Sequence, residues 1–379
     1  MRYLVMYAYP PEPDGLSLQG HYLYQGLLKN SREAMPCDWK EDEQKEAAYN
    51  SFKPDVAVGV GYWGYTPKLV LHPQKFGITP VPWLVADGWV ANYHDVLSSL
   101  PLVLTTSNWV AETYKRDGVD TKNFRTAHIG FDTNLFRPME KHKTRIKCYR
   151  EILGIEEDDK IIMTAGGDVS SKGAQEMFKA LAKVNNEFND WKYVCKSWGG
   201  SESYGYHHKA EVKLAEELGI LEKVIFVKAG LAPELMPFLL NMCDIYAAPS
   251  RLEGYGMIQV EAQSCGKPVI SINAMGPKET VIHGETGFLA GVSETIDLVQ
   301  EKAYTWMGFD EDRIIKFDKP KTFAYRADTD ELAEYTLKLL TDDNLRETMG
   351  QNAREHAVRN FDYAVTSKKI AEMVEGFCK

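Results

Sequence analysis

The stretch from Asp244 to Ile270 constrains the fold more than any other part of the chain. Two apolar runs, Ile245–Ala248 and Pro268–Ile272, read as buried strands. Between them a loop, Pro249–Gly256, leads into a helix expected over Met257–Ser264 and stopped at Gly266. Strand, loop, helix and strand in that order form one unit of an α/β sheet. Gly254 and Gly256 let the backbone approach a ligand closely. The helix N-terminus behind them presents free N–H groups and the positive end of the helix dipole, which suits an anion. Yet one carboxylate, Glu253, stands before that terminus, and another, Glu261, follows on the helix. Carboxylates beside an anion site fit a ligand with both phosphates and hydroxyls, as a nucleotide-diphosphate sugar has. The plain alternative is a helix-dipole glutamate followed by a surface glutamate.

A chain of 379 residues predicts two domains of about 150–190 residues each. The net charge of −10 argues against a general nucleic-acid binder. The six cysteines include no Cys-x-x-Cys pair, which fits reduced thiols in a cytoplasmic protein better than a disulfide framework or a zinc site. Met1–Ala8 is too short an apolar run for a signal peptide and reads as a first buried strand. No run of about 18 apolar residues offers a membrane span. The basic run 140–150 reads as a solvated face, with peripheral contact to an acidic membrane surface as the second reading.

Further strands are expected over Pro54–Val60, Pro82–Ala86, Leu102–Thr106, Lys160–Ala165, Tyr193–Ser197 and Val224–Val227. Helices are expected over His21–Leu28, Lys147–Leu153, Ala174–Val184, Lys209–Leu218, Leu332–Leu340 and Asn344–Val358, with a last one starting near Phe361. Gly59, Gly61 and Gly64 fit a dinucleotide fingerprint, but they come well after the first strand, where such a motif belongs. They read instead as a glycine-rich loop, with Tyr62 and Trp63 either as sugar-stacking faces or as ordinary packing. Asp328 and Asp330 form an Asp-x-Asp pair before a helix, where N-capping accounts for them better than a metal does.

Pro249-Ser250 before Glu253, Gly254 and Gly256 after it, and Gly266-Lys267-Pro268-Val269-Ile270 beyond Glu261 carry a resemblance. The stretch resembles the Glu-x7-Glu motif of retaining glycosyltransferases with the GT-B fold, the group 1 family (glycosyltransferase family 4). Ala127–Pro138 and Glu279–Leu289 resemble further segments of that family, and residues 291–326 look inserted relative to it. The resemblance implies an α/β fold with two Rossmann-like domains whose parallel sheets face across a cleft. Residues 1–140 would form the acceptor-side domain and 141–360 the donor domain, with the helix 361–379 packing back on the first.

The resemblance also implies roles for individual residues. Glu253 would meet the donor sugar and Glu261 the ribose hydroxyls, while Gly254, Tyr255, Gly256 and Met257 would face the diphosphate. Lys172-Gly173 matches a lysine-glycine pair that places Lys172 on the diphosphate; the arginine that accompanies it in the family is Gly167 here. Arg251 is a second cation that could do this work. Gly15 matches a glycine facing the donor phosphates. Asp87 stands where many members carry a histidine that meets the donor sugar; it would accept a hydrogen bond from a sugar hydroxyl or cap the following helix. The implied reaction is glycosyl transfer from a nucleotide-diphosphate sugar to an acceptor hydroxyl with retention, independent of metal and of any cofactor. A nucleotide-sugar epimerase, a phosphorylase and a non-catalytic nucleotide-sugar binder are the other readings.

Overall fold

The computed structural model describes residues 1–377 apart from Asp87, Lys141, His142, Asp168, residues 199–203 and Ala229. The chain divides into two compact units: Met1–Asp132 with Asp297–Phe323 and Asn360–Lys379, and Thr133–Ile296 with Ala324–Arg359.

The first unit is built on a six-stranded parallel sheet. Its strands are β1 (Arg2–Tyr7), β2 (Glu33–Asp38), β3 (Val56–Gly61), β4 (Thr79–Leu84), β5 (Val103–Thr105) and β6 (Phe124–Thr126), in the order β2-β1-β3-β4-β5-β6. Every residue of β3 is buried, as expected of strands covered on both faces by crossover helices. β2 was not anticipated: its polar ends and central Pro36 suit only the sheet edge it occupies. The helix Tyr363–Phe377 packs on the helix Gly15–Lys29, where Asn30 Nδ2 donates to the carbonyl of Ala364 at 2.8 Å.

The second unit repeats the plan with β7 (Lys160–Gly166), β8 (Trp191–Ser197), β9 (Val224–Lys228), β10 (Ile245–Ala247), β11 (Val269–Ile272) and β12 (Gly287–Ala290). All neighbours run parallel, in the order β12-β11-β10-β7-β8-β9. The helices Ala174–Val184 and Met257–Ser264 lie where the apolar pattern placed them.

The inserted segment is a two-stranded ribbon, β13 (Val292–Ala303) and β14 (Arg313–Ala327). Its far end belongs to the first unit, where Phe317 and Phe323 pack on Trp89 at ring distances of 5.9 and 6.4 Å. Trp89 in turn meets Trp63 edge-on at 5.5 Å. This decides between the two readings of the glycine-rich loop: Tyr62 and Trp63 are buried packing groups, not open faces for a sugar.

Among the described residues no helix is long and apolar enough to cross a membrane. Asp328 caps the helix Thr329–Thr341, accepting from the amides of Asp330 at 2.8 Å and Glu331 at 3.1 Å. Asp328→Ala is therefore expected to cost about 1 kcal/mol of stability in a denaturant titration, with Asp328→Asn near wild type.

Candidate active site

In both sheets the strand order reverses at one point, between β1 and β3 in the first and between β7 and β10 in the second. Open α/β sheets bind ligands outside the carboxyl ends of the strands at such a point. In the second unit the loop after β7 carries Lys172 and the loop after β10 carries Glu253.

Two backbone contacts hold these loops together. Gly173, at φ +85°, lies so close to the Pro249 carbonyl that a Cβ there would overlap it. The Arg251 amide donates to the Ser171 carbonyl at 2.9 Å. The consequence is an ion pair: Lys172 Nζ stands 2.5 Å from Glu253 Oε2, with 24% and 16% of the two side chains exposed. A lysine at this point, before a helix N-terminus, opposes the helix dipole and needs an anionic partner. Glu253 is that partner when no ligand is bound, and a diphosphate carries the charge to replace it.

The loop continues through Gly254 and Tyr255 to Gly256, which starts the helix Met257–Ser264 at φ +96°. Neither a side-chain cap nor a first-turn acid occupies that N-terminus. Gly276 sits directly behind the loop; a Cβ there would come within 2.5 Å of the Gly254 carbonyl oxygen. Its amide donates to the Glu253 carbonyl at 3.1 Å. The Tyr255 side chain is buried in the core, so only its backbone can meet a ligand.

Glu261 faces inward from the same helix and is 5% exposed. Among the described residues its carboxyl group has no hydrogen-bond partner. Burial pushes its pKa up to about 8. A buried carboxyl without a partner is costly, which distinguishes Glu261 from the surface glutamate of the plain alternative.

Arg251 is not free to serve as a second cation. Its guanidinium donates to Glu176 at 3.0 Å and to Gln175 Oε1 at 3.0 Å. Glu176, 3% exposed in the first turn of the helix Ala174–Val184, also binds Arg326 Nη1 at 2.5 Å. Among the described residues, apart from its chain neighbours, nothing lies within 4 Å of where a Cβ on Gly167 would stand.

Gly15 lies in the first unit as the first residue of its helix, whose initial amides are taken by Asp14: Leu16 N–H at 3.0 Å and Ser17 N–H at 3.1 Å. Asp87 lies outside the described residues. The carboxyl end of β1 holds polar groups that the sequence reading passed over. Tyr7 Oη, both polar atoms of Gln19, and His21 Nδ1 are buried with no hydrogen-bond partner among the described residues. Burial raises the Tyr7 pKa and lowers that of His21, so both stay neutral near pH 7. Their only sequence signal was position, on the first strand and the helix after it.

The model of the family "Glycosyl transferases group 1" matches residues 146–307. This part of the chain belongs to the group 1 glycosyl transferases. D-inositol 3-phosphate glycosyltransferase of Corynebacterium jeikeium is 27% identical over 275 residues, covering 72% of this chain and 57% of that protein. The protein of the same name from Rhodococcus jostii is 28% identical over 222 residues, covering 58% and 47%. The chain thus spans about half the length of these curated relatives. Among solved structures, HepE of Anabaena, crystallised with UDP and glucose, superposes with a TM-score of 0.71 at 17% identity, covering 99% of this chain and 100% of HepE. Sucrose-phosphate synthase of Thermosynechococcus elongatus gives 0.73 at 16% identity, covering 100% and 98%. With its two six-stranded parallel sheets, the chain has the GT-B fold.

The raised pKa of Glu261 has a measurable consequence. The folded chain keeps this proton up to a pH of about 8, whereas the unfolded chain loses it near 4.5. The folded state therefore binds more protons across that window. The group's contribution to stability is full below about 4.5 and is lost as the pH rises toward 8. Glu261→Gln removes the titration, so its melting temperature relative to wild type should climb from about pH 5 to about pH 9. A difference that stays constant over that range would show that Glu261 is ionised throughout.

Proposed function

We propose that the protein transfers a glycosyl group from a nucleotide-diphosphate sugar to an acceptor hydroxyl, with retention and without a metal ion. The observation that carries this reading is the Lys172–Glu253 pair, set before an uncapped, glycine-rich helix N-terminus whose helix also bears the buried acid Glu261. HepE has been crystallised with UDP-glucose, which supports a uridine nucleotide as the donor class.

The donor diphosphate takes Glu253's place as the partner of Lys172, beside the amides of Gly254–Met257. Glu253 is then released to accept hydrogen bonds from the sugar. Glu261 accepts from the ribose hydroxyls. As the bond from the anomeric carbon to the phosphate oxygen breaks, negative charge builds on the leaving diphosphate. Lys172 and the helix terminus stabilise that charge in place before it forms. The acceptor oxygen bonds to the anomeric carbon on the face the diphosphate leaves, and its proton passes to the departing phosphate oxygen, so the step needs no protein nucleophile. Asp87 would contact a sugar hydroxyl. The unpartnered buried groups Tyr7, Gln19 and His21 support an acceptor-binding role for the first unit, since buried polar atoms need partners.

A thermal-shift screen over UDP-, GDP- and ADP-sugars tests this reading. A donor at about 100 times its Kd stabilises the fold by about 2.7 kcal/mol. The reading fails if no nucleotide sugar raises the melting temperature. With the donor in hand, Lys172→Ala is expected to lower turnover at least about 100-fold while the variant stays folded. Near-normal turnover would remove Lys172 from the diphosphate. Donor binding without hydrolysis or transfer by the wild type would select the non-catalytic binder.

A further inference from the structure

Glu176 is a buried carboxylate to which the reaction above gives no task. It is 3% exposed yet holds two guanidinium groups, Arg251 from the loop of Glu253 and Arg326 from the base of the inserted ribbon. A backbone contact ties the same two segments: the Tyr325 amide donates to the Arg251 carbonyl at 2.8 Å. Arg251 is thus gripped at three points, by its amide on Ser171, its carbonyl on Tyr325 and its side chain on Glu176. Ser171 precedes Lys172, and Arg251 lies two residues before Glu253. The grip therefore acts on both ends of the Lys172–Glu253 pair.

We infer that Arg326 is a positioning residue for the donor site, by which the inserted ribbon sets the spacing of Lys172 and Glu253. The inference rests on the glycosyltransferase reading for its meaning but not for its geometry. Arg251 holds the Glu176 carboxylate from the loop side, through its Nε and Nη2. Arg326 binds Glu176 from the ribbon side and is itself steadied by Glu294, whose Oε2 lies 3.4 Å from its Nε. With both guanidiniums in place the carboxylate is fixed, and so is the loop it holds.

A merely structural role would make Arg326 a stability contact with no effect on Lys172. The two roles separate by labelling. Wild type and Arg326→Ala are treated with acetic anhydride, without ligand, and acylation of Lys172 is followed by mass spectrometry. The positioning role predicts that Lys172 acylates at least about threefold faster in Arg326→Ala, because a loosened ion pair exposes the amine. Arg326→Lys, which restores a cation on Glu176, should return the rate toward wild type. Unchanged Lys172 labelling in a folded Arg326→Ala overturns the inference, as does failure of the lysine variant to rescue it. Should the alanine variant not fold, Arg326→Met keeps the aliphatic stem and takes its place.

Activity supplies an independent arm. With UDP-glucose, kcat of Arg326→Ala is expected to fall about 10- to 100-fold while the Kd for UDP moves less than about threefold, as befits misplaced groups that act on the breaking bond. A fall in kcat matched by an equal loss of UDP-binding sites would reveal plain unfolding and count against the inference. If wild type neither binds nor turns over nucleotide sugars, the function reading fails, and the labelling result still decides the role of Arg326.

Discussion

Everything proposed for the second unit depends on how closely two loops approach at the carboxyl ends of β7 and β10. The strand order brings their parent strands side by side, but neighbouring strands alone do not put a lysine nitrogen against a glutamate oxygen. The contact is made by backbone. Gly173 admits the Pro249 carbonyl where any side chain would collide, and it does so in a left-handed conformation that disfavours other residues. The Arg251 amide then closes on Ser171. With the loops locked at this distance, Lys172 and Glu253 meet with little freedom to lose. The helix Met257–Ser264 begins at the same place, so cation, carboxylate and helix terminus converge without any of them being long or flexible.

The parts of this arrangement that repeat with a simple period were legible in the sequence. Ala174–Val184 carries apolar residues at helical spacing after Gly173, Met257–Ser264 is bracketed by Gly256 and Gly266, and the structure has both helices within those bounds. Strands such as β3 and β11 stand out as short runs rich in Val and Ile, with small residues between. What escaped were features set by distant partners. β2 has a strand's place but not its composition, because an edge strand need not be apolar on both faces. The ribbon β13–β14 was legible only as an insertion, since its aromatics Phe317 and Phe323 need Trp89 to complete a core. Arg251 looked available for a phosphate; only the fold reveals that Glu176, 75 residues earlier, has already claimed it. Tyr62 and Trp63 could be faces for a sugar or packing groups from the sequence alone; Trp306 and Phe309 of the segment between β13 and β14 meet them and make them packing.

The pairing of Arg251 with Glu176 also shows why counting cations in a motif misleads. A cation serves a ligand only if its competing carboxylate is weaker than the ligand or absent. Lys172 and Arg251 both have carboxylate partners, yet the two pairs differ. Lys172 and Glu253 form a single contact between a flexible amine and a part-exposed acid. Arg251 holds a nearly inaccessible acid through more than one nitrogen, and a second arginine reinforces it. The forked geometry of arginine on a carboxylate is stiffer than a lysine contact. Of the two, the Lys172 pair is the one a diphosphate can open.

Glu261 completes the electrostatic argument. An ionised carboxylate in the second turn of the helix would repel an arriving diphosphate from the terminus that is meant to bind it. Burial removes that conflict, because a carboxyl whose pKa is pushed up to about 8 is neutral at pH 7 in the free protein. The same group is the wrong form for holding two ribose hydroxyls, which need an acceptor. Hydrogen bonds donated by the hydroxyls favour the charged form and pull the pKa back down. In the proposed ribose role the acid would be uncharged while the anion approaches and charged once the ribose is in place, so binding a nucleotide near neutral pH would expel a proton from Glu261. A surface glutamate, ionised throughout, would repel the anion on approach; the burial of Glu261 would let one helix serve an anion at its end and hydroxyls along its side.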